Sequence, residues 1–277
     1  MEGLVRKISV ITINLNNSIG LNQTIKSVLN QSYPHFEYII IDGNSSDGSK
    51  ALLANLNDNR AIVISENDAG IYNAMNKGIK IAFGEYIVFI NSGDVFNDNF
   101  VFKEFINNCN DKDIIYGDLI VKDKLKTHYL KYPENLTFNQ LYTKSIPHSG
   151  GSFIKKELFI KNGEYDEKYK IVSDWKFFIQ ALVVNGATYK HISKPFAIFD
   201  LEGISTKNNT KMQVERNEVL NELIPDLILK DYQIFNSKPR DYNAESVFNN
   251  TNKFYFTRIM LKLLNRLSLI LAKIIQK

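Results

Sequence analysis

The first 120 residues alternate short β-branched runs with stretches of helical period, and this rhythm constrains the fold more than any other feature. Residues 8–13, 38–41, 61–64, 86–90 and 114–116 are apolar runs of strand length, rich in Ile and Val, as expected for strands buried on both faces. Between the first two, residues 19–29 follow Asn16-Asn17-Ser18, a run of N-cap formers, and put Ile25, Val28 and Leu29 on one side. Residues 70–83 place Ile71, Ala74, Met75, Gly78, Ile79 and Ala82 on a single helical face. Strand and helix exchanged at such short intervals predict a parallel sheet joined by right-handed crossovers, an α/β fold. The rhythm loosens after about residue 118: Gly150-Gly151 precedes a short apolar run, 173–184 and 212–229 read as helices, and 187–192 and 196–201 as strands. Residues 236–252, with Pro239 and no periodicity, read as a linker to a leucine-rich tail.

Charge narrows the partners. The net charge is +4, but residues 253–277 hold six bases and no acid, leaving the other 252 residues with 28 bases against 30 acids. A body of that sign lacks the contiguous basic face that nucleic-acid binding requires. In the tail, Arg258, Lys262, Arg266, Lys273 and Lys277 fall on one narrow stripe of a helix whose remaining surface is Phe, Ile and Leu. Such a helix fits the headgroup region of an anionic membrane; packing on the body or on a subunit partner is the alternative. The single cysteine, Cys109, excludes an internal disulfide and reads as a buried thiol. With no disulfide to point to an oxidising compartment, the cytoplasm is expected, and the N-terminal apolar run, too short for a signal peptide, reads as a first strand.

In an open α/β sheet, ligands bind beyond the carboxyl ends of the strands. Those ends read Thr12-Ile13-Asn14, then Asp42-Gly43-Asn44-Ser45-Ser46-Asp47-Gly48, then Ser65-Glu66-Asn67-Asp68-Ala69-Gly70, then Asn91-Ser92-Gly93-Asp94. No glycine-rich dinucleotide fingerprint and no P-loop is present. Carboxylates are offered instead, and these accept a base N–H, hold ribose hydroxyls, or bind a divalent cation that in turn holds diphosphate oxygens.

Taken in order, these segments resemble the donor-binding half of family 2 glycosyltransferases of the GT-A fold. More narrowly they are similar to bacterial polysaccharide-assembly members, such as the colanic acid and capsule glycosyltransferases. Their hallmark helix has its counterpart in Asp68-Ala69-Gly70-Ile71-Tyr72-Asn73-Ala74-Met75-Asn76-Lys77-Gly78. The resemblance implies a mostly parallel central sheet with flanking helices, a donor half over 1–118, an acceptor half over 119–235 and the basic helix at 253–277. It implies that Thr12, Asn14, Ser45, Asp68, Asn76 and Asn91 contact the donor nucleotide and that Asp42 reads the base. Asp94 matches the last acid of the family's metal motif and implies Mn2+ or Mg2+; Asn91 stands near the place of the first acid, and Asn73 stands where relatives often carry Asp. Asp174, at the start of a second-half helix, matches the general base, and His148 a histidine on the acceptor or diphosphate side.

The implied activity is inverting transfer of a sugar from a nucleoside diphosphate sugar, UDP favoured, to a hydroxyl of a lipid-linked saccharide in surface polysaccharide synthesis, by an enzyme peripheral on the inner face of the membrane. Each residue also has a plainer reading. Asp42-Gly43 is a good turn former, and an acid in the first turn of a helix, such as Asp174, complements the helix dipole whether or not it does chemistry. A silent nucleotide-sugar-binding partner is the alternative from another class, and either reading allows a homo-oligomer. A sugar-phosphate nucleotidylyltransferase would need a basic loop after the first strand, where Asn14-Leu15-Asn16-Asn17 has no base.

Overall fold

A computed structural model describes residues 8–122, 126–200 and 209–237. It divides into two compact units, Met1–Ile224 and Pro225–Lys277; the expected basic helix and most of the expected linker lie outside the described residues.

The first unit is built on a nine-stranded sheet in the order β3-β2-β1-β4-β8-β6-β9-β5, with β7 pairing β6. Its first half follows the expected crossovers. Strands β1 (Ile8–Asn14), β2 (Phe36–Asp42), β3 (Ala61–Ser65) and β4 (Tyr86–Phe89) are parallel, linked by α1 (Ser18–Leu29), α2 (Ser49–Ala54) and α3 (Ile71–Ile81). Every residue of β1, β2 and β4 is buried, as helices on both faces of a parallel sheet require. The exception is β3: it is the sheet edge, and Ile62 and Val63 remain 38% and 39% exposed, so burial on both faces fails there.

Beyond β4 the sheet is mixed rather than mostly parallel. The run after Gly150-Gly151 becomes β8 (Ser152–Lys155), which inserts antiparallel between β4 and β6 (Ile114–Lys122). Gly150 sits at φ +64°, and a Cβ there would lie 2.5 Å from the Ala197 side chain, so the reversal into β8 needs a glycine. The two strands expected at 187–192 and 196–201 are one, β9 (Tyr189–Asp200), parallel to β6 with register shifts opposite Gly117–Leu119. The interruption read around Pro195 is a bulge rather than a turn. Strand β9 then carries β5 (Val95–Phe96) at its far side.

The expected helix over 212–229 breaks at Pro225 into α8 (Asn209–Leu223) and α9 (Asp226–Ser237), because proline has no N–H for the helical ladder. The helix expected over 173–184 is α7 (Ser173–Phe178) followed by a π-helical turn over Ile179–Val184. The pattern did not reveal α4 (Val101–Asn108), α5 (Phe138–Thr143), α6 (Lys156–Asn162) or β7 (Thr127–Leu130). On one face of the sheet Phe102, Phe105, Phe153 and Phe196 interlock, with Phe105 and Phe153 stacked 4.1 Å apart. Cys109 is buried in this cluster, a structural thiol as expected.

Helix α3 matters most for the site. It packs so close on β1 that a Cβ at Gly78 would lie 2.6 Å from Ile11. Its buried face also includes Tyr72 and Asn76, two polar residues that the apolar periodicity did not select.

Candidate active site

The last residues of three neighbouring strands, Asn14, Asp42 and Ser65, stand abreast in register. Asp42 is fully buried and its carboxylate is surrounded by donors. Asn14 Nδ2 lies at 2.8 Å, Ser65 Oγ at 2.7 Å, and Ser45 supplies its hydroxyl at 2.5 Å and its N–H at 3.0 Å. Burial pushes the Asp42 carboxyl up, but the bonds from Ser45, Ser65 and Asn14 together outweigh it and hold the group below the usual carboxylate range. Since a carboxylate offers about four acceptor positions, Asp42 is saturated by the protein. Asn14 Oδ1 is left buried without a hydrogen-bond partner among the described residues. The turn behind is pinned by Asp47, which accepts the Ser18 N–H at 2.7 Å and the Ser49 hydroxyl at 2.6 Å. Those contacts, the Ser49 hydroxyl foremost, bring Asp47 down to about 2.

Two of the expected nucleotide contacts have their side chains engaged inside the fold. Thr12 is fully buried, donating to Ile90 O at 2.7 Å and accepting from the Tyr38 phenol at 3.0 Å. Asn76 donates to Tyr165 O at 2.8 Å and Glu167 Oε1 at 3.0 Å, and accepts the Tyr165 N–H at 3.0 Å. Both side chains are buried with every donor spent, which suits them to positioning others. Asp68 accepts the Gly70 N–H at 3.0 Å and lies against Gly43 in the turn after β2.

After β4, the 91–94 turn is clamped to α1. Thr24 Oγ1 donates to Asp94 O at 2.7 Å and accepts the Gly93 N–H at 3.0 Å, and Asn17 Nδ2 donates to Ser92 O at 2.9 Å. Ser149 ties the turn to β8: its hydroxyl donates to Asp94 Oδ2 at 2.5 Å and accepts the Asn91 N–H at 3.0 Å. Asn91 Oδ1 is buried without a hydrogen-bond partner among the described residues. No cluster of three metal-ligating side chains occurs among the described residues. One carboxylate and one unpartnered amide oxygen nevertheless fit Mg2+ or Mn2+ of the kind held chiefly by substrate phosphates and water.

The residue before Ser149 is His148. Its ring stacks on Phe89, centroids 5.0 Å apart, and its Nε2 meets the Tyr165 hydroxyl at 2.7 Å. Burial lowers its pKa, against the upward pull of the Asp174 charge. Asp174, half-buried in the first turn of α7, accepts the Tyr72 hydroxyl at 2.8 Å. The charge of Asp174 is felt by His148, Tyr72, Tyr165 and Arg216. Thus consecutive residues reach both acids: Ser149 holds Asp94, and His148 faces Asp174. Trp175 is core, as expected, donating from Nε1 to Leu141 O at 2.7 Å beneath the Arg216 guanidinium.

Sequence reasoning missed Thr24, Ser149, Tyr72, Tyr165 and Glu167. Of these Tyr72 lies in the helix motif and Ser149 beside His148, and Asn73 and Asn76 join Tyr72 in gripping the 165–174 segment. Asn73 Nδ2 donates to Glu167 Oε2 at 3.0 Å.

The profile described as Glycosyl transferase family 2 matches residues 9–163, more than half of the chain. The chain belongs to glycosyl transferase family 2. This glycosyltransferase is 33% identical over 185 residues to an uncharacterized glycosyltransferase of Mycobacterium tuberculosis, covering 64% of this chain and 69% of the relative. It is 27% identical over 179 residues to a PGL/p-HBAD biosynthesis glycosyltransferase of Mycobacterium bovis, covering 62% and 68%. Among solved structures it resembles S. aureus TarS in complex with UDP-GlcNAc, with a TM-score of 0.60 at 19% identity over 72% of this chain and 60% of that one. A mannosyltransferase from Pyrobaculum calidifontis, in complex with GDP-Man and Mn2+, gives 0.56 at 15% over 71% and 57%. These likenesses establish the GT-A architecture of the fold.

Proposed function

We propose that this glycosyltransferase moves a sugar, with inversion, from a nucleoside diphosphate sugar to a hydroxyl of a saccharide acceptor in surface polysaccharide synthesis. The observation that carries the reading is the pair of acids held by hydroxyl donors, Asp94 Oδ2 by Ser149 and Asp174 Oδ1 by Tyr72. The acceptor oxygen attacks the anomeric carbon as its O–H bond breaks, Asp174 takes the proton, and the bond from the anomeric carbon to the diphosphate oxygen opens. Asp94 and Asn91 would hold the divalent cation, whose chemistry is to neutralise charge on the departing diphosphate. His148, with its depressed pKa, serves as a neutral hydrogen-bonding surface beside the transferred group.

Asn14, Ser45 and Asp68 line the nucleotide end, where Asp42, its acceptor positions filled, holds Asn14 and Ser45 in place beside the base. A uridine donor is the favoured choice, supported by the UDP-GlcNAc in TarS, whereas GDP-Man in the archaeal neighbour marks guanosine as the competitor to test. The basic tail supports a cytoplasmic enzyme attached peripherally to the inner face of the membrane, and a lipid-linked acceptor would suit that placement. Among the described residues no helix is long and apolar enough to cross a membrane. Thermal shift with a panel of nucleotide sugars and Mn2+ identifies the donor, because binding stabilises the fold by mass action. Donor hydrolysis without acceptor, with and without Mn2+, tests turnover; binding without hydrolysis or transfer would establish a silent partner instead. Vesicle flotation of the full chain against one ending near Asn250 tests the tail, and equal binding removes the membrane claim.

A further inference from the structure

We propose that Tyr72 is the positioning residue for the base, holding Oδ1 of Asp174 so that Oδ2 receives the acceptor proton. The proposal rests on the assignment of Asp174 as base. Tyr72 belongs to the first turn of α3, about a hundred residues before Asp174, yet its hydroxyl lies 2.8 Å from Asp174 Oδ1 and 2.8 Å from Ile171 O. A phenol has one proton and serves one of these acceptors at a time. Facing an ionised carboxylate, the charge-assisted bond to Asp174 is the stronger. Once Asp174 has taken a proton, Ile171 O offers the phenol a second place at the same distance. Among the described residues no side chain donates to Oδ2, so the two carboxylate oxygens have different tasks.

The ring is fixed independently of the hydroxyl. Tyr72 is 6% exposed and lies 5.6 Å from the Tyr165 ring. Asn76, one turn further along α3, grips the Tyr165 backbone from both sides, and Asn73 and Asn76 both donate to Glu167. Helix α3 therefore carries the segment leading into α7 on three polar side chains, and the phenol completes that grip at the base itself. The phenol keeps its own proton, because burial and then the Asp174 charge drive its pKa well above the ordinary value.

The groups facing Asp174 are Tyr72 from α3, His148 from the loop before β8, Tyr165 from the turn before α7 and Arg216 from α8. Of these, only Tyr72 donates a hydrogen bond to the carboxylate among the described residues. A donor to the charged form of an acid favours that form, so removing it raises the acid's pKa.

The test is the pH dependence of kcat/KM for wild type, Tyr72→Phe and Asp174→Asn. In Tyr72→Phe the acid limb moves to higher pH by about one unit, with a fall in kcat of about 10-fold below the limb and little change in KM for the donor. A fluorinated tyrosine at position 72, a stronger donor, moves the limb the other way, and it also serves if the phenylalanine variant folds poorly. An acid limb that superimposes on wild type in both variants overturns the positioning role while leaving the base assignment standing, provided Asp174→Asn is inactive. Near-normal turnover in Asp174→Asn overturns the base assignment itself. A uniform loss at every pH with a lowered melting temperature assigns Tyr72 to packing alone and overturns the proposal.

Discussion

Two acids follow elements in corresponding ways, Asp42 at the end of β2 and Asp174 at the opening of α7, and the fold treats them oppositely. Asp42 is fully buried and receives Asn14, Ser65 and both donors of Ser45. Asp174 is half-buried and receives the Tyr72 hydroxyl. A carboxylate whose lone pairs are all engaged in a buried network is a structural hub: neutralising it costs several hydrogen bonds at once. A carboxylate held by one oxygen keeps the other for a proton in transit. Residue type and position at an element's end are alike in the two cases. The number of donors that the tertiary structure brings to each decides which is scaffold and which is chemistry.

The sharpest way to break this contrast is to remove acids from each side and ask what is lost. Asp94→Ala lowers metal-dependent turnover by on the order of 1000-fold with a small change in melting temperature; retained activity in Mn2+ would remove Asp94 from the site. Asp174→Asn lowers turnover by on the order of 100-fold or more, again with near-normal unfolding. Asp42→Ala does the reverse: it strands the Asn14, Ser45 and Ser65 donors and costs about 2 kcal/mol of stability, read from urea unfolding. If Asp42→Ala melts like wild type and only donor affinity falls, the hub reading is wrong.

Smaller effects sharpen the boundary between the two regions. Asn73→Asp sets a carboxylate against Glu167 in place of an amide donor and costs about 1 kcal/mol. Glu167→Gln in the same chain recovers it, a double-mutant cycle on thermal unfolding. The smallest effect concerns His148. Its folded pKa lies below the ordinary 6.5, so the unfolded chain binds the proton first; this stability component is complete above pH 6.5 and is lost as pH falls below it. His148→Gln removes that component, and a melting temperature that falls equally in both proteins between pH 7.5 and 5.5 would contradict it.

Much of this was legible in the residues. The apolar runs of β1, β2 and β4 and the i, i+3, i+4 face of α3 are local signals, because a two-fold or 3.6-fold period is written within a dozen residues. The order of strand-end motifs likewise marked Asp94 as a candidate, whereas Asp174, at the start of a helix, was marked by the family resemblance. What periodicity could not reveal was β8 entering antiparallel between β4 and β6, since pairing direction depends on partners far away in sequence. It also could not reveal that Pro195 sits in a bulge inside one strand, where β9 carries the extra residues opposite β6, whereas Pro225 ends a helix outright.

The site divides along the same line. Sequence by itself determined which acids and amides stand at the ends of the strands, because those positions follow from strand length and motif order. Only the tertiary structure decided what each is free to do. It filled Asp42 with donors, engaged Thr12 and Asn76 inside the core, tied Asp94 to Ser149 and brought Tyr72 to Asp174. A side chain's capacity to bind or move a proton is what remains after its neighbours have taken their hydrogen bonds, and those neighbours are set by packing between segments distant in the chain.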